Sequence, residues 1–179
     1  MASNTTSQRL VELLEIPRPV FNSLYLALTI EGGHTRLSYH RDMPIVVDAD
    51  GPLDVRKIRI LNLSEPTSCI SLHFGCSIAT SIDEWDGDSG SGHSLTALGL
   101  LSGRIYEVQN SEWLQHLQRL TCLEWEGEEC QKLRHFVCAF RVNVVQVAAT
   151  SLQYFEGEVP LQAAATSLSW PKTVRSHAA

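Results

Sequence analysis

The chain has 179 residues and is 44% hydrophobic, enough for a single domain spanning 1–179 with a proper core. A formal net charge of −6 sets nucleic acid aside as the default partner and leaves room for a basic one. No apolar run approaches the ~20 residues that cross a bilayer, and five cysteines, an odd number without scaffold spacing, fit a reducing compartment.

The polar, uncharged start from Met1 to Ser7 gives no secretory signal, so a cytoplasmic protein is expected. Residues 6–15 read as a short N-terminal helix. Thr5 and Gln8 form a capping box, Leu10, Val11, Leu13 and Leu14 an apolar stripe, and Pro17 the stop. From Val20 to Ile30 the pattern alternates, with Leu24, Leu26, Leu28 and Ile30 on one face. Gly32-Gly33 then signals a turn into a second strand carrying Leu37 and Tyr39, which predicts a hairpin. A short edge strand is expected at Ile45–Val47, a clear strand over Val55–Leu63, and another over Ser68–Phe74 with Ile70, Leu72 and Phe74 inward. Residues 83–94 read as an Asp/Gly/Ser loop, and Leu95–Leu101 as a strand or a pair of helical turns.

The clearest local structure lies between Arg104 and Phe155. Arg104–Val108 alternates like a short strand. Asn110 and Ser111 offer short side-chain oxygens to the free N–H groups of a helix start, and Glu112 suits the positive end of its dipole. Trp113, Leu114, Leu117 and Leu120 fall at helical spacing, which predicts a helix over about 111–121. Phe136, Cys138 and Phe140 share one face of a following strand, and Val145 and Val147 continue the pattern beyond a tight turn near Asn143. That second strand, about 144–149, has the composition to run on through Leu152 to Phe155. The fold class is α+β: a meandering, mainly antiparallel sheet with the 111–121 helix packed on it, a short N-terminal helix, and a flexible tail from about residue 160.

Several constellations imitate known chemistry. Gly87-Asp88-Ser89-Gly90 resembles the nucleophile loop of trypsin-like serine proteases, yet too little chain precedes Ser89 to build that fold. Gly92-His93-Ser94-Leu95 resembles the nucleophile elbow of α/β-hydrolases, yet Thr96 stands where a Gly is usual and no buried strand leads in. Ser89 and Ser94 are therefore the catalytic residues of an alternative, serine-hydrolase reading. Cys69, His73 and Cys76, with Cys122 and Cys130, have metal-like spacing, but strand alternation turns Cys76 away from the other two, and structural cysteines are expected, Cys138 in the core among them. Asp86, Asp88 and Gly90 hint at a calcium loop that lacks its closing Glu, since position 97 is Ala. No metal and no cofactor are expected.

Two short segments place Glu-Trp-acid-Gly-acid in sequence. The first holds Asp83, Glu84, Trp85, Asp86 and Asp88; the second holds Glu124, Trp125, Glu126 and Glu128. Read structurally, each is a solvated loop whose Trp packs back onto the sheet. Read functionally, the carboxylates steer a basic partner and the Trp anchors it.

The segment Ile105–Leu114, with the His135–Phe140 and Val145–Ala148 strands, resembles small bacterial proteins, some of them immunity proteins of toxin systems. The resemblance covers residues 104–155 and implies a non-catalytic protein that binds and blocks a basic toxin or nuclease. The turn Arg141-Val142-Asn143 departs from the acidic hairpin turn common in that group. The first functional expectation is thus a protein-binding module acting through acidic loops, without nucleic acid or membrane. Alternatives are the serine hydrolase and a self-assembling subunit that pairs its sheet edge with copies of itself.

Overall fold

The computed structural model describes residues 7–19, 26–41, 67–121, 130–159 and 175–176. Their strands, numbered along the chain, form two antiparallel sheets. The first has the order β1 (Arg9–Glu12), β6 (Arg104–Gln109), β7 (Arg134–Ala139), β8 (Asn143–Ala149) and β5 (Ala79–Glu84). The second has the order β10 (Arg175–Ser176), β9 (Ser151–Val159), β4 (Thr67–Gly75), β3 (His34–His40) and β2 (Leu26–Glu31). One α-helix, α1 (Glu112–Thr121), and short 3-10 turns at Ser94–Leu98 and Cys130–Lys132 complete the described residues.

Period-two alternation decides what lies between the sheets. Leu37 and Tyr39 of β3, Ile70, Leu72 and Phe74 of β4, and Leu152 and Tyr154 of β9 face Ile105, Phe136, Cys138, Val145 and Val147 of the first sheet in one buried cluster. Phe74 meets Phe136 with ring centroids 5.6 Å apart, and Tyr39 meets Phe140 edge-on at 5.7 Å. Each such side chain contributes about 1.5–3 kcal/mol by leaving water. Cys138 lies in this layer as expected, fully buried, and burial pushes its thiol pKa up.

The other face of the first sheet is apolar too. Tyr106, Val108, Val137, Ala139 and Val144 are buried there under Trp85, Leu95 and Leu100. The segment 85–103 therefore acts as a cap, turned back on itself at Gly99 and Gly103 with φ of 90° and 72°. The helix sits beside it, with the Trp113 ring 4.6 Å from that of His135, and Leu120 at its far end is exposed.

Several expectations hold. The β2–β3 hairpin turns on Gly32 and Gly33 at positive φ. Strand β4 covers the predicted 68–74, β6 covers 104–108, and Ser111 caps α1 by accepting from Leu114 N–H at 3.0 Å. The β7–β8 hairpin closes through Phe140 N–H on Asn143 O at 2.8 Å. Asn143 is an ordinary strand residue; among the described non-glycine residues only Cys76 and Asn110 have positive φ.

Others do not. The N-terminal helix over 6–15 is absent: Arg9–Glu12 is a strand, paired in register with Gln109–Tyr106. A helix this short is marginal on its own, whereas β6 offers a free row of backbone groups. Glu12 holds both Arg18 and Arg104, Leu10 joins the layer above the first sheet, and Leu13 and Ile16 join the layer between the sheets. The single meandering sheet is two sheets. The chain crosses between them at Thr150, whose N–H and hydroxyl both reach Gly75 O, so β8 and β9 are separate strands in different sheets. Asp83 and Glu84 belong to β5 rather than to a loop, and Leu95–Leu101 is entered by a 3-10 turn. The strands expected at 45–47 and 55–63 and the helix expected after Pro160 lie outside the described residues.

Candidate functional site

Strand β5 delivers the first acidic segment to one end of the first sheet. Past Glu84 the chain bends at Trp85, whose N–H still bonds Val142 O at 3.1 Å, and Gly87 N–H bonds Arg141 O at 2.8 Å. The loop is thereby fastened to the β7–β8 hairpin. Gly87 has no room for a side chain, since a Cβ there would stand 2.7 Å from Arg141 O. Inside the loop Asp86 accepts from Ser89 O–H at 2.6 Å and from the N–H groups of Asp88 and Ser89. These bonds, the Ser89 hydroxyl first, hold the Asp86 carboxyl below its usual range. Asp88 pairs with Arg141 at 2.7 Å.

Between this loop and the hairpin lies an open depression of about 530 Å³, walled by Glu84, Asp86 and Ser91 and completed by Trp85, Gly92, Val142 and Asn143. Glu84, Asp86 and Asp88 stand at the surface around it. Glu84 forms no ion pair among the described residues. Trp85 is only 4% exposed and packs beneath them. The structure therefore brings Glu84, Asp86 and Asp88 together and uses Trp85 as their support. Glu124, Trp125, Glu126 and Glu128 lie outside the described residues.

Asp83 has a different setting. Its Oδ2 accepts from Gln146 Nε2 at 2.7 Å and from Ser81 O–H at 2.9 Å, and lies 3.6 Å from His93 Nε2. Gln146 in turn accepts through Oε1 from His135 Nε2 at 3.0 Å, and His135 Nδ1 meets Ser111 Oγ at 2.7 Å. This chain has one polarity. A glutamine oxygen only accepts, so His135 carries its proton on Nε2. Burial lowers the His135 pKa to about 4, so the ring is neutral and Nδ1 is bare. Ser111 then donates its O–H to Nδ1 while accepting Leu114 N–H. Sequence reading did not single out His135 or Gln146 here; polar residues at positions 135 and 146, within otherwise apolar β7 and β8, were the available signal.

A second cavity of about 390 Å³ opens above this chain. Ser94, Leu95, Leu98, Trp113, His135 and Gln146 are among its lining residues. Ser94 thus shares a cavity with a histidine. Both ring nitrogens of that histidine are engaged, by Ser111 and Gln146, so neither is left for the Ser94 proton. Ser89 donates to Asp86 and touches Ser91, and no imidazole is among its partners in the described residues.

On the far face of the second sheet, Cys69 Sγ lies 3.8 Å from His40 Nδ1, Ser38 donates to Ser71 at 2.9 Å, and Ser71 meets His73 Nε2 at 3.1 Å. His73 points along the same face as Cys69 but four residues on, and Cys76 sits exposed in the following turn. Among the described residues no group of three His, Cys, Asp or Glu can hold a metal ion, and no helix is long and apolar enough to cross a membrane.

Compared with known families, curated proteins and solved structures, the chain matches none of them.

Proposed function

We propose that this is a non-catalytic protein-binding domain that takes a basic protein partner at the acidic end of β5. The observation that carries this reading is the depression between the 84–92 loop and the β7–β8 hairpin, walled by Glu84 and Asp86, with Asp88 exposed in the same loop and Trp85 buried behind. Carboxylates in that setting raise encounter rates with a cation-rich surface and select against acidic ones. Loop and hairpin are tied by backbone bonds, so little ordering is lost on binding. An immunity-like inhibitor of a basic toxin or nuclease is the form implied by the resemblance of residues 104–155. The hydrolase alternative has less support, because Ser89 has no imidazole partner among the described residues and the His135 beside Ser94 is occupied on both sides.

The test is capture from host lysate on immobilised wild type and on the triple variant Glu84→Gln, Asp86→Asn, Asp88→Asn, at low and high salt. Asp83 is kept, since it holds Gln146 in place. A basic protein retained by wild type, released by salt and lost on the variant is the expected result. Equal capture by both proteins would overturn the reading.

A further inference from the structure

Among the described residues, strand β5 is one margin of the first sheet, paired with β8 on one side only. In an antiparallel ladder, backbone groups point alternately to one neighbour and then the other. Trp85 N–H bonds Val142 O in continuation of the β5–β8 register, so the N–H and C=O groups of Ala79, Ser81 and Asp83 face β8. Those of Thr80, Ile82 and Glu84 face away from it. Among the described residues none of these three backbones meets another backbone group outside the ladder.

Exposed margins of this kind are commonly blunted by lysine, proline or a covering element. The sequence of β5, Ala-Thr-Ser-Ile-Asp-Glu, has neither lysine nor proline, and Ile82 stays 53% exposed although its side chain is on the inward side of the sheet. Thr80, Ile82 and Glu84 put their side chains on the same face, with Glu84 running directly into the acidic depression. The margin at β2 differs. Its neighbour β3 carries Arg36 opposite Thr29.

We propose that the basic partner binds by adding one of its own strands to the free margin of β5, with an apolar side chain against Ile82 and a Lys or Arg against Glu84, two residues apart on one face. This deepens the protein-binding reading and rests on it. The occupant is a foreign strand rather than a second copy, because β5 holds no Lys or Arg to set against Glu84 and a second copy adds another net charge of −6. Main-chain bonds to Thr80, Ile82 and Glu84 supply affinity, and the Ile82–Glu84 pair supplies the choice of sequence.

The probe is a short synthetic peptide in which threonine alternates with valine and lysine, titrated into the full chain and followed by amide NMR. Its control is the same peptide N-methylated at alternate residues, which keeps every charge and removes the bonding edge. The peptide is expected to saturate and to shift the amides of Thr80, Ile82 and Glu84 most. The N-methylated control is expected to bind about tenfold more weakly for each hydrogen bond removed. Ile82→Pro deletes one outward N–H without touching a β5–β8 bond, and is expected to weaken the parent peptide by about tenfold too. Equal binding of both peptides would overturn strand addition while leaving a charge-only contact, and with it the protein-binding reading, intact. Binding of neither peptide would also overturn it. So would a concentration-dependent dimer in sedimentation that Ile82→Pro dissolves, since the margin would then belong to a second copy.

Discussion

Between the sheets, Leu37, Ile70, Phe74 and Phe136 are covered by strands whose backbone groups bond within their own ladders. Above the first sheet, Val137, Ala139 and Val144 are covered by residues 85–103, a run of turns around one short 3-10 helix. The two layers use similar side chains and differ in their lids. A strand satisfies its own backbone wherever the sheet goes, but an irregular lid must find a partner for each polar group it buries. The cap falls short at three side chains: Trp85 Nε1, Thr96 Oγ1 and Ser102 Oγ are buried without a hydrogen bond among the described residues. A polar group left in that state costs about 1–3 kcal/mol. The sandwich interior is thus the stability reserve of the molecule, and the cap is a cover held more loosely over a site it helps to shape.

That contrast can be broken most strongly from the interior. Phe136→Ala removes a ring packed on Phe74 and is expected to cost about 3–5 kcal/mol, read as a lowered urea midpoint at unchanged slope. A loss below about 1 kcal/mol would mean that the inter-sheet layer does not carry the fold.

Acid is expected to act next most strongly, through His135 at the join between sheet, helix and cap. Its pKa in the folded chain is about 4, against 6.5 for the free side chain. Above pH 6.5 the ring is neutral in both folded and unfolded chains, and its contribution does not change with pH. As pH falls from 6.5 toward 4 the unfolded chain takes up a proton that the folded chain refuses, so stability is lost across that window. The loss is on the order of 3 kcal/mol by pH 4. Urea titrations at several pH values check it, with His135→Gln expected to lessen the slope while His73, lowered to about 4 by burial as well, keeps the remainder; an unchanged slope in that variant would assign the whole effect elsewhere.

Ser102→Ala should have the smallest effect and the opposite sign. It deletes one unpartnered hydroxyl from the cap and keeps the Cβ that packs against Gly87, so stability should rise by up to about 1 kcal/mol. A clear loss in the same urea assay would show that the hydroxyl has a partner in solution.

Much of the sheet structure was legible because alternation is strong where both neighbours are strands. Leu37 and Tyr39, Ile70 to Phe74, and Phe136 to Phe140 all read correctly as inward faces, and the Ser111 cap and Gly32-Gly33 turn are local chemistry. What failed was decided at a distance. Leu10, Val11, Leu13 and Leu14 suit a helix stripe as well as a strand, and only the vacant side of β6 decides between them. Strand β5 carries one large apolar residue, Ile82, because a margin strand needs little more, so its sequence looks like loop. That Thr150 takes the chain from one sheet to the other is a matter of packing, which alternation alone cannot express. In the site, the acidic character of 83–88 was readable from composition. The burial of Trp85 and the separate duty of Asp83 depend on β8 and the cap, which are remote in sequence.

Strand β1 pairs with β6 by joining Arg9 to Gln109, 100 residues further along the chain. Closing so long a span has an entropy cost that no local contact offsets beforehand, and pairings of this kind slow folding. During synthesis β1 has nothing to dock on until β6 has been made, and β6 itself needs β7 beside it. The ion pairs of Glu12 with Arg18 and Arg104 form only at that late stage for the second of them. Residues near the front of the chain are thus among the last to be secured, and a newly made molecule passes through a stage in which the first sheet has raw margins on both sides.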